Sequence, residues 1–275
     1  MIARRTFLAA LALAPQAFAG ERSRLSFRGS LEQGCLVIGH VLPGAKVAVD
    51  DKSVLVSPEG VFAFGLPYDC AKPVRVLARF ADGSTEPGEV TALARQYEVQ
   101  AVNGLPEELV SPSEEDLKRI ARERELVWQA RVRETDGIGF AEPLDWPFPG
   151  IISSLYGSQR VLNGKPSAPH LGIDIAAPEG TPIHAPGDGV VSLADDFLLE
   201  GGLTLLDHGH GVSTAYLHQS ERHVAVGAKV ARGDVIGLVG KTGRATGPHT
   251  HWGLAWFQVR LDPSRSTRTS EPPRA

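Results

Sequence analysis

The first third of the chain alternates short apolar runs with turn-forming residues. Four of these runs, at residues 35–38, 46–49, 61–64 and 74–78, are rich in β-branched or aromatic residues. Proline, glycine and aspartate separate the runs at intervals of about ten residues, which is typical of short strands joined by tight turns. The pattern predicts a small β-sandwich-like domain over residues 20–104.

The pattern changes to a helical one after residue 105. Ser113 is followed by three acidic residues, the arrangement expected of an N-cap and a first helical turn. Five apolar residues then share one stripe at about 100° per residue. They are Leu117, Ile120, Ala121, Trp128 and Val132. We predict a linker over 105–146 that contains a helix at about 114–135 and packs on one of the domains.

From residue 147 the chain returns to short apolar runs interrupted by glycine and proline. Few stretches are long enough for more than two helical turns, so a second, mostly antiparallel β domain is expected over residues 147–263. Residues 264–275 are rich in serine, threonine, arginine and proline, which predicts a disordered tail. The expected fold class is therefore mainly β, with a helical connector between two β domains.

The N-terminus has the layout of an export signal. Arg4 and Arg5 precede an apolar stretch at residues 7–14, and small residues come before Gly20. The apolar part is shorter than the roughly 20 residues that span a bilayer, so residues 1–19 are interpreted as a cleavable signal peptide. The general secretory and the twin-arginine routes both remain open. So does pairing of Cys35 with Cys70 in an oxidising compartment.

Charge and histidine distribution narrow the possible functions. The chain of 275 residues has a formal net charge of -4 and no lysine- or arginine-rich block, so no nucleic-acid partner is expected. Glycine and proline contribute 30 and 20 residues, fewer than in low-complexity chains. Only one of the nine histidines precedes residue 170. Chemistry is therefore expected in the C-terminal half.

Two short segments in that half present histidine and aspartate on a common strand face. On an extended chain His170, Gly172 and Asp174 point to one side, and glycine leaves space between the two polar groups. His249 and His251 likewise project together. Two imidazoles and a carboxylate suit Zn2+ and leave one position for water. His218, or whichever member of the His249/His251 pair is not a ligand, is then a candidate base.

Other hydrolytic and nucleotide-binding chemistries lack their motifs. The chain has no His-Glu-x-x-His helix and no Gly-x-Ser-x-Gly elbow, and neither cysteine is close in sequence to the histidine-rich region. Residues 240–242 are Gly-Lys-Thr, the ending of a phosphate-binding loop. However, Val235 occupies the position at which such a loop requires its first glycine.

An ordered set of motifs covers most of the C-terminal half. The segments, in chain order, are residues 154–160, 170–182, 188–191, 207–209, 216–218, 230–234 and 247–252. Together they resemble the lysostaphin-type zinc endopeptidases, which cut peptidoglycan peptides. This resemblance covers roughly residues 147–262, under half of the chain.

The resemblance implies roles for individual residues. His170, Asp174 and His251 would be the zinc ligands, and His218 and His249 would lie near the metal-bound water and the substrate carbonyl. Two further residues, Tyr156 and Arg160, lie in the segment that borders the groove and would touch substrate.

The export signal and the resemblance together imply a setting. The protein would be exported, to the periplasm, with peptidoglycan stem peptides as its substrate and no transmembrane segment after signal removal. A catalytically silent module that activates cell-wall amidases is the alternative, and such modules have lost metal ligands. Gating of the groove by residues 20–104 is a further hypothesis.

Overall fold

The computed structural model describes residues 23–273. The predicted signal peptide, residues 1–19, lies outside the described residues. Seven strands build the N-terminal domain. They are β1 Leu25–Arg28, β2 Leu36–Val41, β3 Lys46–Val49, β4 Lys52–Val54, β5 Val61–Gly65, β6 Val74–Arg79 and β7 Thr85–Val90. Two antiparallel sheets, ordered β1-β2-β5 and β4-β3-β6-β7, enclose a core that includes Val37, Phe62, Phe64 and Val76. The predicted sandwich is confirmed.

The next strand leaves this sandwich. Strand β8, Val99–Val102, pairs in parallel with β10, Gln159–Leu162, which also forms a hairpin with β11, Lys165–Pro166. Residues predicted to belong to the first domain therefore lie against the second. A parallel pairing between strands about 60 residues apart leaves no local sequence signal, because no turn connects them.

The connector holds two helices, α1 Glu107–Val110 and α2 Glu114–Arg131. The Ser113 hydroxyl accepts a hydrogen bond from the Asp116 amide, so the predicted N-cap is correct, and α2 ends four residues earlier than predicted. The predicted stripe is only partly correct. Ile120 is buried, but Leu117 and Trp128 are 53% and 48% exposed. The side chains of Glu123 and Ala130 face inward instead. The Glu123 carboxylate accepts hydrogen bonds from the Leu198 amide, which accounts for a buried acid on this face of the helix.

The remaining strands form the C-terminal domain. They are β9 Ile151–Ser154, β12 Ile173–Ala176, β13 Pro182–His184, β14 Gly189–Phe197, β15 Gly201–Gly209, β16 Val212–Gln219, β17 Glu221–Arg222, β18 Lys229–Val230, β19 Val235–Leu238, β20 His249–Trp256 and β21 Val259–Leu261. The main antiparallel sheet has the order β18-β14-β15-β16-β20-β12-β9, with β21 paired to β20, and β13-β19-β17 form a second sheet.

The two domains share a hydrophobic core. Leu36 and Ile38 of the sandwich belong to the same buried cluster as Ile175 and Trp252 of the main sheet. At the edge of this junction the Tyr68 and Tyr97 rings stack with centroids 4.3 Å apart. The domains are therefore packed together rather than joined only by the linker. Within the described residues, no helix is both long enough and apolar enough to cross a membrane.

Residues 264–271 make specific contacts, so the predicted disorder of the tail is wrong for this part. Trp146 Nε1 donates to the Thr269 carbonyl at 3.0 Å, and Arg268 pairs with Asp145 at 3.0 Å. The polar composition was misleading because backbone and charged partners, rather than apolar burial, hold the segment. Residues 274 and 275 lie outside the described residues.

Candidate metal centre and groove

Strands β12 and β20 lie side by side and set the geometry of the site. In their antiparallel register Asp174 is opposite His251, and Ile173 is opposite Trp252. Directly opposed residues project to the same face, so the polar pair faces the groove while Ile173 and Trp252 are fully buried in the core. The alternation predicted from the sequence is present in the structure.

His170, just before β12, completes a cluster of three potential ligands. Their donor atoms all lie within 4.8 Å of one another, and the side chains are buried, with 3%, 8% and 8% exposure for His170, Asp174 and His251. The Asp174 Oδ1 atom is 3.0 Å from both His170 Nε2 and His251 Nδ1. A Cβ atom on Gly172 would lie 2.4 Å from His251 Nε2. The glycine therefore provides the space that the sequence indicated.

The hydrogen bonds fix which nitrogen of His170 faces this cluster. Its Nδ1 lies 3.1 Å from the Leu155 carbonyl and 2.9 Å from Ser154 Oγ. A carbonyl can only accept, so Nδ1 carries the proton and Nε2 is the free donor atom for a metal. Ser154 Oγ in turn donates to Gln100 Oε1 at 2.5 Å.

The charges of the cluster suit a cation. Burial opposes ionisation of Asp174, but the adjacent His170 and His251 rings outweigh it and hold the pKa of the carboxyl well below its usual value. Burial, with a smaller effect of the nearby His170, lowers the pKa of His251 to about 3. An ionised carboxylate beside neutral imidazoles is the form in which these groups bind metals. Arg160 also pairs with the carboxylate, at 2.6 Å from Asp174 Oδ2.

His218 and His249 lie together next to this cluster, with ring centroids 4.7 Å apart. His218 Nδ1 donates to the Thr242 carbonyl and His249 Nδ1 to the Gly247 carbonyl, each at 2.8 Å. The Nε2 atom of each ring is therefore the one with a lone pair. Burial and then the neighbouring His249 lower the pKa of His218 to about 4. His218 also has a φ of 66°, an uncommon backbone conformation that occurs often at functional sites.

A cavity of about 440 Å³ opens beside these residues. It is lined by Asp174, His218 and His249, and Arg160 lies on its wall. Tyr156 does not line it. That side chain is 2% exposed, and its hydroxyl donates to the Arg260 carbonyl, because the tyrosine packs into the junction between the domains.

The cavity also contains residues to which the sequence assigned no role. Gln100 from β8 and Arg244 from the loop before β20 both line it, and Ser154 lies on the wall between Gln100 and His170. No sequence signal identified Gln100 or Arg244. Ser154 lies in one of the motifs, but its partner His170 is 16 residues away and becomes visible only in the fold.

Cys35 and Cys70 are not bonded to each other in the structure. Both are free thiols, with Cys35 buried and Cys70 half-buried. Burial raises the pKa of each thiol, so neither has the reactivity of a catalytic cysteine.

Two curated relatives each align with part of the chain. Peptidoglycan DD-endopeptidase ShyA of Vibrio cholerae is 48% identical over 122 residues, which cover 44% of this chain and 28% of that protein. DD-carboxypeptidase/endopeptidase Mpg of Neisseria meningitidis is 47% identical over 83 residues, which cover 30% of this chain and 19% of that protein. The chain thus spans less than a third of the length of either relative.

A longer similarity is found to a solved structure of a peptidase M23 from Pseudomonas aeruginosa. It is 31% identical, with a TM-score of 0.66, and the alignment covers 86% of this chain and 94% of the other. The sequence pattern of Peptidase family M23 matches residues 168–263, the segment that contains the His-Asp-His cluster and both nearby histidines. Since the similarity extends over both domains and the pattern falls on the residues that form the site, this chain belongs to the lysostaphin-type peptidase family M23.

Proposed function

We propose that this protein is an exported zinc endopeptidase that hydrolyses the peptide cross-links of peptidoglycan. The observation that carries the proposal is the buried cluster of His170, Asp174 and His251, whose donor atoms lie within 4.8 Å beside an open cavity. The name of ShyA supplies the substrate class, peptidoglycan, and both ShyA and Mpg are named for endopeptidase activity.

The donor set fits zinc. Two imidazole nitrogens and one carboxylate oxygen are a common catalytic zinc set, and the Gly172 position leaves the space between them free of a side chain. Bound zinc would lower the pKa of its water to about 7 and so supply a hydroxide nucleophile at neutral pH. His170, Asp174 and His251 would hold the metal.

His218 and His249 would move the proton and support the substrate oxyanion. In each ring it is Nδ1, and not Nε2, that bonds to a backbone carbonyl, that of Thr242 for His218 and that of Gly247 for His249. These hydrogen bonds fix the plane of each ring. A pKa of about 4 keeps the His218 ring neutral at pH 7, so it can accept a proton. Both histidines present Nε2, so either one could accept the proton and either one could support the oxyanion.

Arg160 would hold Asp174 and reach substrate from the groove wall. Its guanidinium is 2.6 Å from the carboxylate and its side chain also lines the cavity. The bond we propose to be cut is the D,D cross-link between stem peptides, in the periplasm; a glycine bridge is the other candidate. An amidase-activating binding module is less favoured, because all three ligands and both nearby histidines are present.

Digestion of purified peptidoglycan tests the proposal. Wild-type protein loaded with zinc should release soluble fragments whose masses identify the bond. His251→Ala should lose both the bound zinc and the digestion, whereas His223→Ala, which removes a partly exposed histidine paired with Glu221, should keep both. Equal digestion by wild type and His251→Ala would exclude the zinc mechanism.

A further inference from the structure

A second recess of about 260 Å³ adjoins the groove on the other side of the metal cluster. His170 and His251 line it, whereas Asp174 and His249 line the first cavity. Both recesses are lined by Arg160, His218 and Arg244. A peptide that runs from one recess to the other would therefore pass its backbone over the His-Asp-His cluster.

Positive charge is concentrated where the recesses meet. Arg160, Arg244 and Arg260 all line the second recess, and Glu200 is the one acid among the lining residues that the structure describes. Burial raises the pKa of Glu200. Burial and then the proximity of Arg160 lower the pKa of Arg244, as expected for like charges held near each other. A bound divalent cation would add to this positive field.

Two of these arginines, Arg160 and Arg260, also have a donor that is not used. Nε of Arg160 and Nε of Arg260 are buried, and no group within residues 23–273 accepts a hydrogen bond from either. One Arg260 amino group donates to the Leu171 carbonyl at 3.1 Å. Buried donors normally find an acceptor, so these guanidiniums fit an anionic partner. A carboxylate matches the planar fork of arginine in shape and charge.

We propose that Arg160, Arg244 and Arg260 form a carboxylate-binding subsite that selects peptides with a free carboxylate close to the scissile bond. This inference rests on the proposed function, because it takes the substrate to be a peptide held across the metal cluster. The carboxylate could come from the C-terminus of the peptide or from a side chain of a neighbouring residue. The subsite would bind it with parallel N–H donors and so fix the register of the peptide in the groove.

The test uses three synthetic cross-linked peptides that differ only in amidation. One has free carboxylates, one has its C-terminal carboxylate amidated, and one has its side-chain carboxylate amidated. Hydrogen bonds between charged groups are strong enough that loss of the recognised carboxylate should lower kcat/KM about tenfold or more, mainly through KM. The amidated peptide that shows the loss identifies the source of the carboxylate.

Arg244→Gln should lower kcat/KM for the free peptide to the level of that amidated peptide and should remove the difference between the two. Lys241→Gln is the matched control. It removes one positive charge three residues away, from an exposed side chain outside both recesses, and should retain the selectivity. Equal loss of selectivity in both variants would mean that the overall positive electrostatic potential, and not a specific arginine contact, attracts the carboxylate. This result would overturn the subsite.

Titration calorimetry of the full, metal-free protein provides a second readout. Without zinc the carboxylate cannot bind the metal, so tighter binding of the free peptide reports on the arginines. Equal affinity for free and amidated peptides would overturn the inference. If the wild type cleaves all three peptides equally, the subsite is wrong and the proposed function stands. If it cleaves neither peptides nor peptidoglycan, the proposed function fails, and the titration still decides on the subsite.

Discussion

At the scale of single residues, the orientation of His170 depends on a short chain of hydrogen bonds. Its Nδ1 donates to the Leu155 carbonyl and to Ser154 Oγ, and that hydroxyl donates to Gln100 on β8. Partners of this kind orient a ligand ring and set which nitrogen is free for the metal. The N-terminal half of the chain thus reaches the metal cluster through one glutamine and one serine.

Replacement of Ser154 by alanine should weaken zinc binding. The ring would keep the Leu155 carbonyl but lose the hydroxyl that links it to Gln100, and loss of such partners typically costs about 10–100-fold in metal affinity or activity. Competition with a chelator of known affinity measures the change. Ser220→Ala removes an exposed hydroxyl bonded to the Val239 carbonyl and should leave zinc affinity unchanged. Unaltered affinity in Ser154→Ala would show that Leu155 alone orients His170.

At the scale of elements, helix α2 supports the loop between β14 and β15, which is hydrogen-bonded to His218. The Glu123 carboxylate accepts from the Leu198 amide, at 3.2 and 3.0 Å from its two oxygens. Within the same loop the Glu200 carbonyl accepts from the His218 amide at 2.8 Å, and the Leu199 carbonyl accepts from the Arg244 amide at 2.8 Å. Through this loop the connector therefore supports both the candidate catalytic residue His218 and Arg244, one of the arginines that line the second recess.

Glu123→Ala should lower the free energy of unfolding by about 1–3 kcal/mol, because the Leu198 amide would be left without its acceptor in a partly buried position. Urea denaturation measures this loss. Glu125→Ala is the matched control on the same helix. Glu125 is exposed and bonds only to Gln129 among the hydrogen bonds seen here, so its removal should change stability by less than about 0.5 kcal/mol. Similar values for the two variants would contradict the bracing role.

Local rules explain which elements could be predicted. The period of two expected for an extended chain placed His170, just before β12, on the same face as Asp174 in β12, and the same rule placed His249 and His251. The helix face was misjudged because hydrophobicity alone cannot anticipate that Glu123 turns inward to bind a backbone amide. The position of β8 depends on a parallel pairing with β10. Such long-range pairing, which brings Gln100 to the groove, has no signature in a single sequence.

At the scale of the whole molecule, the two β domains behave as one packing unit. The sandwich and the main sheet contribute to the same buried cluster, and β8 forms part of the groove wall. Removal of the first domain would therefore expose core residues and take away Gln100, in addition to any effect on access to the groove. The gating hypothesis is better tested by changes at the junction than by truncation.

The ion pair between Arg95 and Asp262 offers such a change. Their side chains are 16% and 2% exposed and lie 2.9 Å apart across the domain junction. Arg95→Ala would leave a buried carboxylate without its cation, which typically costs about 3–5 kcal/mol. Denaturant unfolding followed by tryptophan fluorescence measures this, since all four tryptophans lie in the connector and C-terminal domain.

The matched control removes an arginine from an exposed ion pair within the C-terminal domain. Arg222 bonds to Asp196, whose side chain is 72% exposed, so Arg222→Ala should cost no more than about 1 kcal/mol. Because the core is shared, the wild type should unfold in a single transition. In Arg95→Ala the transition reported by tryptophan should move to lower denaturant concentration although Arg95 lies in the N-terminal half. An unchanged tryptophan transition would mean that the C-terminal domain is stable without the junction, and the domains would then have to be treated as independent units.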